Sequence, residues 1–319
     1  MKRIGLVIGL TVVTSGGAAP AAAETIAVFT KSRTSPVSVA LRAGASVAAK
    51  NLGVQVVQYV PSTADSVEQQ AALVEDTVKS KPDAIVFVPV HADALAPAVD
   101  KINAAGVPLT NVNERLPRGN VVAYVGTDDY ELGLATARYL LKAMGSKGNL
   151  VILEGPDNVL SATARARGFK DALKEFPDVK LLASKSANYA RPPAAEAAKT
   201  FLRSFAQIDG ILAANDPMAI GANEALKAAN RKALVVGINA SKEAVDLIKS
   251  GELLGSGDYN AFVQGCLGTE IAVRNLRKQP TPKEVMLKPD VIDKTNYGPF
   301  DLPVEQRACP TLESVGASK

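Results

Sequence analysis

Short apolar runs alternate with longer stretches of helical spacing along most of the chain. Uninterrupted apolar runs of about four to eight residues are typical of strands buried on both faces, and apolar positions three and four residues apart are typical of amphipathic helices. In the first half, the pattern predicts strands at Ile26–Thr30, Val54–Tyr59, Ala84–Val88, Pro108–Val112 and Val121–Val125, and helices at Val37–Leu52, Val67–Lys79 and Ala94–Ala104.

The same alternation begins again after a helical stretch at Tyr130–Met144. Apolar strands joined by helices predict parallel sheets covered on both faces, with right-handed crossovers. Two such sets in tandem indicate two doubly wound α/β domains with a ligand cleft between them. The second set comprises strands at Leu150–Leu153, Val179–Ala183, Gly210–Ala214, Leu234–Ile238 and Leu253–Gly255, helices at Thr163–Phe176, Ala194–Phe205, Met218–Ala229 and Glu243–Lys249, and a late helix at Ala261–Lys278 that is free to pack on the first domain.

One strand-to-helix corner of the second set carries two polar residues. Asn215 and Asp216 lie between the buried strand at Ile211–Ala214 and the helix at Met218–Leu226. Open α/β sheets bind small polar ligands at such corners, beside the free N–H groups of a helix N-terminus. Helix capping by itself also explains both residues, so the corner has a structural and a functional interpretation.

The amino terminus has the three parts of a secretory signal peptide. Met1-Lys2-Arg3 is basic, Ile4–Val13 is apolar and Ala18–Ala23 consists of small residues and proline, so we expect cleavage after Ala23. The apolar run is shorter than the ~20 residues that a membrane-spanning helix needs. The sequence therefore predicts an exported protein located in the periplasm.

Composition indicates a soluble globular protein. The 319 residues are 47% hydrophobic and 21% charged, which is enough for two domains with cores of their own. The formal net charge is +4, and the basic residues are scattered rather than clustered. A nucleic-acid-binding surface needs a concentrated basic patch, so no nucleic-acid partner is expected.

Catalytic and cofactor motifs are missing from the sequence. The single histidine, His91, follows a predicted strand and is interpreted as a turn residue. There is no G-x-S-x-G elbow, no P-loop and no G-x-G-x-x-G, since Gly255-Ser-Gly257 stops short of the last motif. We therefore expect no enzymatic activity, no cofactor and no metal site.

Two cysteines, Cys266 and Cys309, occur in a chain expected to be exported. An even number of cysteines in an oxidising compartment favours a single disulfide, and two buried free thiols are the alternative. A bond would fasten the C-terminal tail, where Pro299, Pro303 and Pro310 oppose regular structure, to the body of the protein.

Several segments together resemble the periplasmic binding proteins of the ribose/galactose type, which are the solute receptors of sugar ABC transporters. The likeness covers nearly all of the chain after the predicted signal peptide. The matching segments are Thr25–Phe29, Ser35-Pro36 with Gly44-Ala45, Gly106-Val-Pro108, Gly126-Thr-Asp128, Arg165–Phe169, Ala214–Ala219 and Val235–Asn239.

The resemblance implies the type I fold, in which two α/β domains are joined by three hinge crossings, here near Thr127, Asp258 and Pro289. The expected organisation is a signal peptide at 1–23, a first lobe of 24–127 with 259–288, and a second lobe of 128–258 with 289–319. It also implies a role: capture of a small sugar or polyol in the cleft and delivery to a membrane permease of an ABC transporter, whose ATPase is a separate chain. The protein is expected to work as a monomer.

The family's ligand positions carry over to specific residues. Arg165 offers a fork of donors that suits vicinal hydroxyls or a carboxylate. Asn113 and Asn239 stand where carboxylates are commoner in the family, and Val37-Ser38 replaces aromatic residues, so the implied pocket is less acidic than is usual for a hexose. The full set is Lys31, Ser35, Asn113 and Glu114 from the first lobe, Arg165, Tyr189, Asn215 and Asn239 from the second, and Tyr259 at a hinge.

Alternatives remain open from the sequence. A smaller polyol, a furanose-like sugar and an acidic sugar derivative all fit the implied pocket, as does a small carboxylate. The receptor could present its ligand to a sensor or chemotaxis protein instead of a permease. A regulator of the lac-repressor kind shares the core but needs a helix-turn-helix where the predicted signal peptide stands.

Overall fold

A computed structural model describes residues 23–316, so the predicted signal peptide lies almost wholly outside the described residues. The described residues form two six-stranded sheets. Elements are numbered in chain order. The first sheet contains β1 (Thr25–Phe29), β2 (Gln55–Tyr59), β3 (Ala84–Phe87), β4 (Leu109–Val112), β5 (Ala123–Thr127) and β11 (Glu284–Leu287).

The second sheet repeats this arrangement, with the spatial order β12-β10-β9-β8-β6-β7 against β11-β5-β4-β3-β1-β2 in the first. All pairings are parallel except that of the edge strand β12 with β10. The strands of the second sheet are β6 (Gly148–Glu154), β7 (Val179–Ser186), β8 (Gly210–Ala213), β9 (Leu234–Ile238), β10 (Gly255–Asp258) and β12 (Asp290–Ile292).

Helices cover the two sheets, and we call each sheet with its helices a lobe. The first lobe holds α1 (Pro36–Leu52), α2 (Val67–Ser80), α3 (Ala96–Ala104) and α9 (Ala261–Leu276). The second holds α4 (Asp129–Ala143), α5 (Leu160–Leu173), α6 (Arg191–Ser204), α7 (Asp216–Ala228), α8 (Lys242–Ser250) and the short α10 (Gly298–Asp301). The predicted fold class, two doubly wound parallel-sheet domains of the type I periplasmic binding protein fold, is confirmed.

Three crossings join the lobes and are hydrogen-bonded to one another. The chain leaves the first sheet after Thr127, returns after Asp258 and crosses again between β11 and β12. Thr127 Oγ1 donates to the carbonyl of Tyr259 at 2.9 Å, and Asn260 Nδ2 donates to the carbonyl of Lys288 at 3.2 Å. Gln264 Nε2 also donates to the Tyr259 carbonyl, at 2.7 Å. The crossings therefore form one connected hinge, while the exact lobe boundaries stay a prediction.

The last strand of the second set lies further along the chain than its apolar content predicts. The sequence placed a strand at Leu253–Gly255, whereas β10 has the sequence GSGD and all four of its residues are buried. Small residues are needed there because a Cβ on Gly257 would lie 2.4 Å from Oγ1 of Thr136 on α4. Close packing of a helix against the strand therefore takes the place of apolar side chains.

Two glycines allow α1 and α9 to pack in close contact. A Cβ on Gly44 would lie 2.0 Å from the carbonyl oxygen of Phe262, and a Cβ on Gly265 would lie 2.0 Å from that of Leu41. Backbone atoms of the two helices therefore touch at both positions. Since α9 directly follows the second crossing, this contact fixes the hinge to the first lobe.

The C-terminal tail contacts both lobes. Asp301 at the end of α10 forms an ion pair at 2.7 Å with Lys249 of α8, which belongs to the second lobe. A 3₁₀ turn at Val304–Gln306 then contacts α1, and the buried Leu312 joins the core of the first lobe. The sequence assigned all of 289–319 to the second lobe. Burial of Leu312 brings the end of the tail back against the first lobe, and the assignment of 289–319 to one lobe stays a prediction.

Cys266 of α9 and Cys309 of the tail, which are 43 positions apart in the sequence, are joined by a disulfide with an S–S distance of 2.06 Å. We expect replacement of both cysteines by serine to lower the free energy of unfolding by about 2–3 kcal/mol, because the bond removes conformational freedom from the unfolded chain. Urea denaturation of the oxidised protein and the double variant checks this. Two titratable thiols in the unreduced wild-type protein would contradict the bond.

No helix among residues 23–316 is both long enough and apolar enough to cross a membrane. Within the same residues, no group of three or more histidine, cysteine, aspartate or glutamate side chains is placed to hold a metal ion.

Candidate functional site

Most of the predicted ligand residues lie at the carboxyl ends of strands, where the two lobes face each other. Lys31 follows β1, Glu114 follows β4, Asn215 follows β8 and Tyr259 follows β10. The lobes are close enough for charges to act across the cleft. Burial raises the pKa of the Asp129 carboxyl on the second lobe above its usual value. The Arg165 charge opposes this rise, and so does the charge of Lys31, which belongs to the first lobe.

Arg165 lies at the centre of the second-lobe cluster and is only 4% exposed. Its Nε donates to Oδ1 of Asp129 at 2.8 Å, and Nη1 donates to the carbonyl of Ala214 at 2.8 Å. Burial lowers the pKa of Arg165, but the Asp129 carboxylate together with the neighbouring Tyr189 and Tyr259 side chains outweighs burial, so the pKa lies above its usual value. The guanidinium is therefore charged and held in one orientation. Among the described residues Nη2 makes no hydrogen bond, which leaves one edge of the fork for a ligand.

Two tyrosine rings flank this guanidinium. The Arg165 guanidinium carbon lies 5.8 Å from the ring centroid of Tyr189 and 5.1 Å from that of Tyr259. Burial raises the pKa of both phenols, so both are neutral at physiological pH. Neutral rings can lie against the C–H face of a sugar while the arginine binds its hydroxyl groups.

Asn215 connects the corner after β8 to Tyr189. Its Oδ1 accepts from the backbone N–H of Met218 at 3.0 Å, which caps α7, and its Nδ2 donates to the Tyr189 carbonyl at 2.9 Å. The capping interpretation of Asn215 is therefore confirmed. Its side chain also positions the loop that carries the Tyr189 ring.

Asp216, the next residue, is fully buried, and its hydrogen bonds lie within the second lobe. It accepts from the Ser256 hydroxyl at 2.5 Å and from the Ser241 N–H at 2.7 Å. Burial raises its pKa to about 6. These bonds join α7 to the start of α8 and to β10, so Asp216 supports the corner structurally.

In the first lobe, Lys31 and Glu114 form an ion pair, with side chains 23% and 24% exposed. Glu114 also accepts from the N–H of Ala92 at 3.4 Å. Asn113 has a φ of 72°, and its carbonyl accepts from the hydroxyl of Tyr124 at 2.7 Å. This left-handed turn holds Asn113 and Glu114 at the end of β4.

Ser35 and Asn239 lie to one side of these two clusters. Ser35 occupies the cap position of α1 without a side-chain capping bond, and its N–H donates to Oγ of Ser32 at 3.1 Å. Asn239 has a φ of 119°, and its Oδ1 is buried without a partner among the described residues. Asn239 lines a cavity of about 980 Å³, and so do Thr34 and Pro36 on either side of Ser35.

This cavity lies between the lobes and is walled on one side by the C-terminal tail. It is lined by Val39 of α1, Pro217 of α7 and Phe300 of α10, and by Asp258 and Asn260 at the second crossing. Arg165 and the Lys31–Glu114 pair do not line it. We place the candidate ligand site at these charged clusters, because they bring hydrogen-bonding groups and aromatic rings together and the cavity is largely apolar.

The structure thus brings Arg165, Tyr189, Asn215 and Tyr259 together, and pairs Lys31 with Glu114. No hydrogen bond or ion pair among the described residues joins Ser35 or Asn239 to them. Sequence reasoning missed Asp129. The only local signal was its place beside the cap residue Asp128 at the start of α4.

Comparisons with known proteins agree with this architecture. The family model for the periplasmic binding protein domain matches residues 26–280. The D-apiose import binding protein of Paraburkholderia graminis is 30% identical over 297 residues, covering 92% of this chain and 94% of that protein. The xylitol-binding protein of Mycolicibacterium smegmatis is 36% identical over 213 residues, which are 66% of this chain and 61% of that protein.

Among solved structures, a periplasmic solute binding protein of an ABC transporter from Actinobacillus succinogenes, with bound D-allose, superposes with a TM-score of 0.81. It is 33% identical and covers 85% of this chain and 98% of that chain. The family match extends over β1 to β10, which are five of the six strands of each sheet, and over the first two crossings. The chain therefore belongs to the periplasmic binding protein family.

Proposed function

We propose that this protein is a periplasmic solute receptor that captures one small, neutral, polyhydroxylated molecule and delivers it to an ABC import permease. The observation that carries the proposal is the second-lobe cluster, in which a buried arginine with a free edge lies between two neutral aromatic rings. Hydroxyl groups on a compact carbon skeleton match both kinds of contact. The relatives and the structural neighbour described above are named for D-apiose, xylitol and D-allose, which share that chemistry.

The charge balance favours a neutral ligand over an acidic one. Lys31 is paired with Glu114 and Arg165 with Asp129, so each cation of the site already has a carboxylate partner. An anionic ligand would have to compete with a buried carboxylate for the same guanidinium. A neutral polyol accepts hydrogen bonds from the free edge without disturbing either pair.

Closure of the lobes supplies the signal. A ligand that contacts groups from both lobes binds the closed state more tightly and shifts the hinge equilibrium towards it. A change from mostly open to mostly closed takes about 5.5 kcal/mol of differential affinity. No bond is made or broken, so the ligand is released unchanged. The closed monomer then docks on a permease whose ATPase is a separate chain.

A thermal-shift screen of residues 24–319 tests the ligand class. Xylitol and D-xylonate form a matched pair that differs by one carboxylate, and D-apiose, D-ribose, D-allose and glycerol complete the panel. A ligand at about a hundredfold excess over its dissociation constant stabilises the fold by roughly 2.7 kcal/mol. We expect a clear rise in the unfolding temperature with at least one neutral compound and none with D-xylonate. A rise with D-xylonate alone would overturn the neutral-ligand proposal.

A further inference from the structure

A fourth connection between the lobes runs outside the hinge. We call residues 297–309 the strap. One end is held on the second lobe, where Asp301 pairs with Lys249 at 2.7 Å. The other end is bonded to the first lobe through the disulfide between Cys309 and Cys266. Any rotation of one lobe against the other must therefore move or deform the strap.

Arg307 holds the strap in a folded shape. Its Nη2 donates to the carbonyl of Phe300 at 2.8 Å, and the guanidinium carbon lies 5.0 Å from the Phe300 ring centroid. Its Nε is buried without a hydrogen-bond partner among the described residues. A buried N–H on a charged group is costly when it is unpaired, so Arg307 is short of one acceptor in this arrangement.

Asp258 at the second crossing offers that acceptor. It ends β10, is 9% exposed, and accepts from the N–H of Asn260 at 2.8 Å. Among residues 23–316 Asp258 forms no ion pair. Burial raises the pKa of its carboxyl to about 6, and the positive charge of Arg307 acts in the opposite direction. Asp258 and Arg307 line the same cavity between the lobes.

We propose that Arg307 pairs with Asp258 when the lobes close, so that the strap acts as a latch on the closed state. Arg307 Nε lacks a hydrogen-bond acceptor, and the Asp258 carboxylate lacks a cationic partner. Both residues line one cavity whose walls belong to both lobes and to the strap. Closure shrinks that cavity and brings the guanidinium onto the hinge carboxylate. The latch rests on the proposed function, because ligand-driven closure is the event that it stabilises.

A double-variant cycle tests the latch. Arg307→Met and Asp258→Asn each remove one partner, and the affinities for D-allose and xylitol are measured by calorimetry for both variants and their combination. We expect each single change to weaken binding about tenfold. The combined variant should bind no more weakly than the weaker single variant, because the lost interaction is the same. Independent, multiplying losses would overturn the pairing.

Two further variants separate the latch from a general loss of structure. Arg307→Lys keeps the charge and should bind more tightly than Arg307→Met. Arg138→Met removes an arginine that pairs with Glu175 on the surface of the second lobe, at 2.6 Å, and should leave affinity unchanged. Equal losses for Arg138→Met and Arg307→Met would contradict the latch.

A ligand-free measurement keeps the latch testable if neither probe binds. Fluorescent labels at the exposed Lys50 of α1 and Lys180 of β7 report the distance between the lobes in single molecules. Arg307→Met and Asp258→Asn should each reduce the fraction of closed molecules relative to the labelled wild type. An unchanged fraction would overturn the latch. Failure of D-allose and xylitol to bind the wild type would count against the proposed ligand class instead.

Discussion

Replacing Arg165 by alanine is expected to weaken binding of D-allose or xylitol by at least about a hundredfold. The side chain provides the free donor edge between the two tyrosine rings, and its loss also leaves Asp129 buried without a counter-ion. The free energy of unfolding should therefore fall as well, by about 3 kcal/mol. Calorimetry measures the first effect and urea denaturation the second.

Because the destabilised variant could lose binding indirectly, a charge-free pair is the sharper test. The combination Arg165→Gln with Asp129→Asn removes both charges, so most of the lost stability should return while binding stays weak. Arg167→Ala is the matched control, since this arginine lies two residues along α5 and is exposed. Near-wild-type affinity in this double variant would show that Arg165 does not bind the ligand.

A valine at Gly265 is expected to cost about 4 kcal/mol of unfolding free energy, near the upper end for single substitutions. A Cβ there would lie 2.0 Å from the carbonyl oxygen of Leu41, so α1 and α9 would have to separate along their whole contact. No side-chain rotation can relieve this clash, because the opposing atom belongs to the backbone of α1. Urea denaturation gives the magnitude.

Gly298→Ala is the control for this substitution. No heavy atom comes within 4 Å of a Cβ built at Gly298, and its φ is not positive, so stability should change by less than about 0.5 kcal/mol. Equal losses at the two glycines would show that the close approach of α1 and α9 does not limit stability.

The order of strands and helices could be predicted because the buried strands of parallel sheets are apolar throughout. The helix α2 begins at Val67, where the pattern predicts it, and the Ser66 side chain caps it there by accepting from the Gln69 N–H. For α5 and α6, whose cap positions hold Val159 and Ala190 without a capping bond, the helices begin three residues before the predicted start. Without a capping residue, the sequence contains no local signal for the first turn.

Strands that depend on tertiary packing escaped the pattern. The edge strand β11 alternates exposed and buried residues and ends just before Pro289, and β10 consists of GSGD. Neither resembles the apolar runs that mark the other strands. The partner of β11 is β5, which is far away in the sequence, and the partner of β10 is β9, which is separated from it by α8. Both strands are therefore recognisable only from their pairing in the folded sheet.

The candidate site was predictable residue by residue only through the family resemblance. The pairing of each cation with a carboxylate could not be predicted, because Arg165 and Asp129 are 36 positions apart in the sequence and Lys31 and Glu114 are 83 positions apart. Each pair forms at the meeting point of elements whose relative positions the local pattern does not contain. The proposal of a neutral ligand rests on these pairs and therefore needed the structure.

The late return of the chain to the first lobe has a consequence for biogenesis. Val285 of β11 and Leu312 of the tail belong to the same buried core as Ile26 of β1. The first lobe therefore cannot finish folding until Leu312 has left the ribosome and, for an exported chain, the translocation channel. The second lobe is almost contiguous between α4 and β10 and can mature earlier. This reverses the usual order, in which the first domain to emerge is the first to fold, and it prolongs the interval in which an incomplete first lobe is exposed to proteases and aggregation.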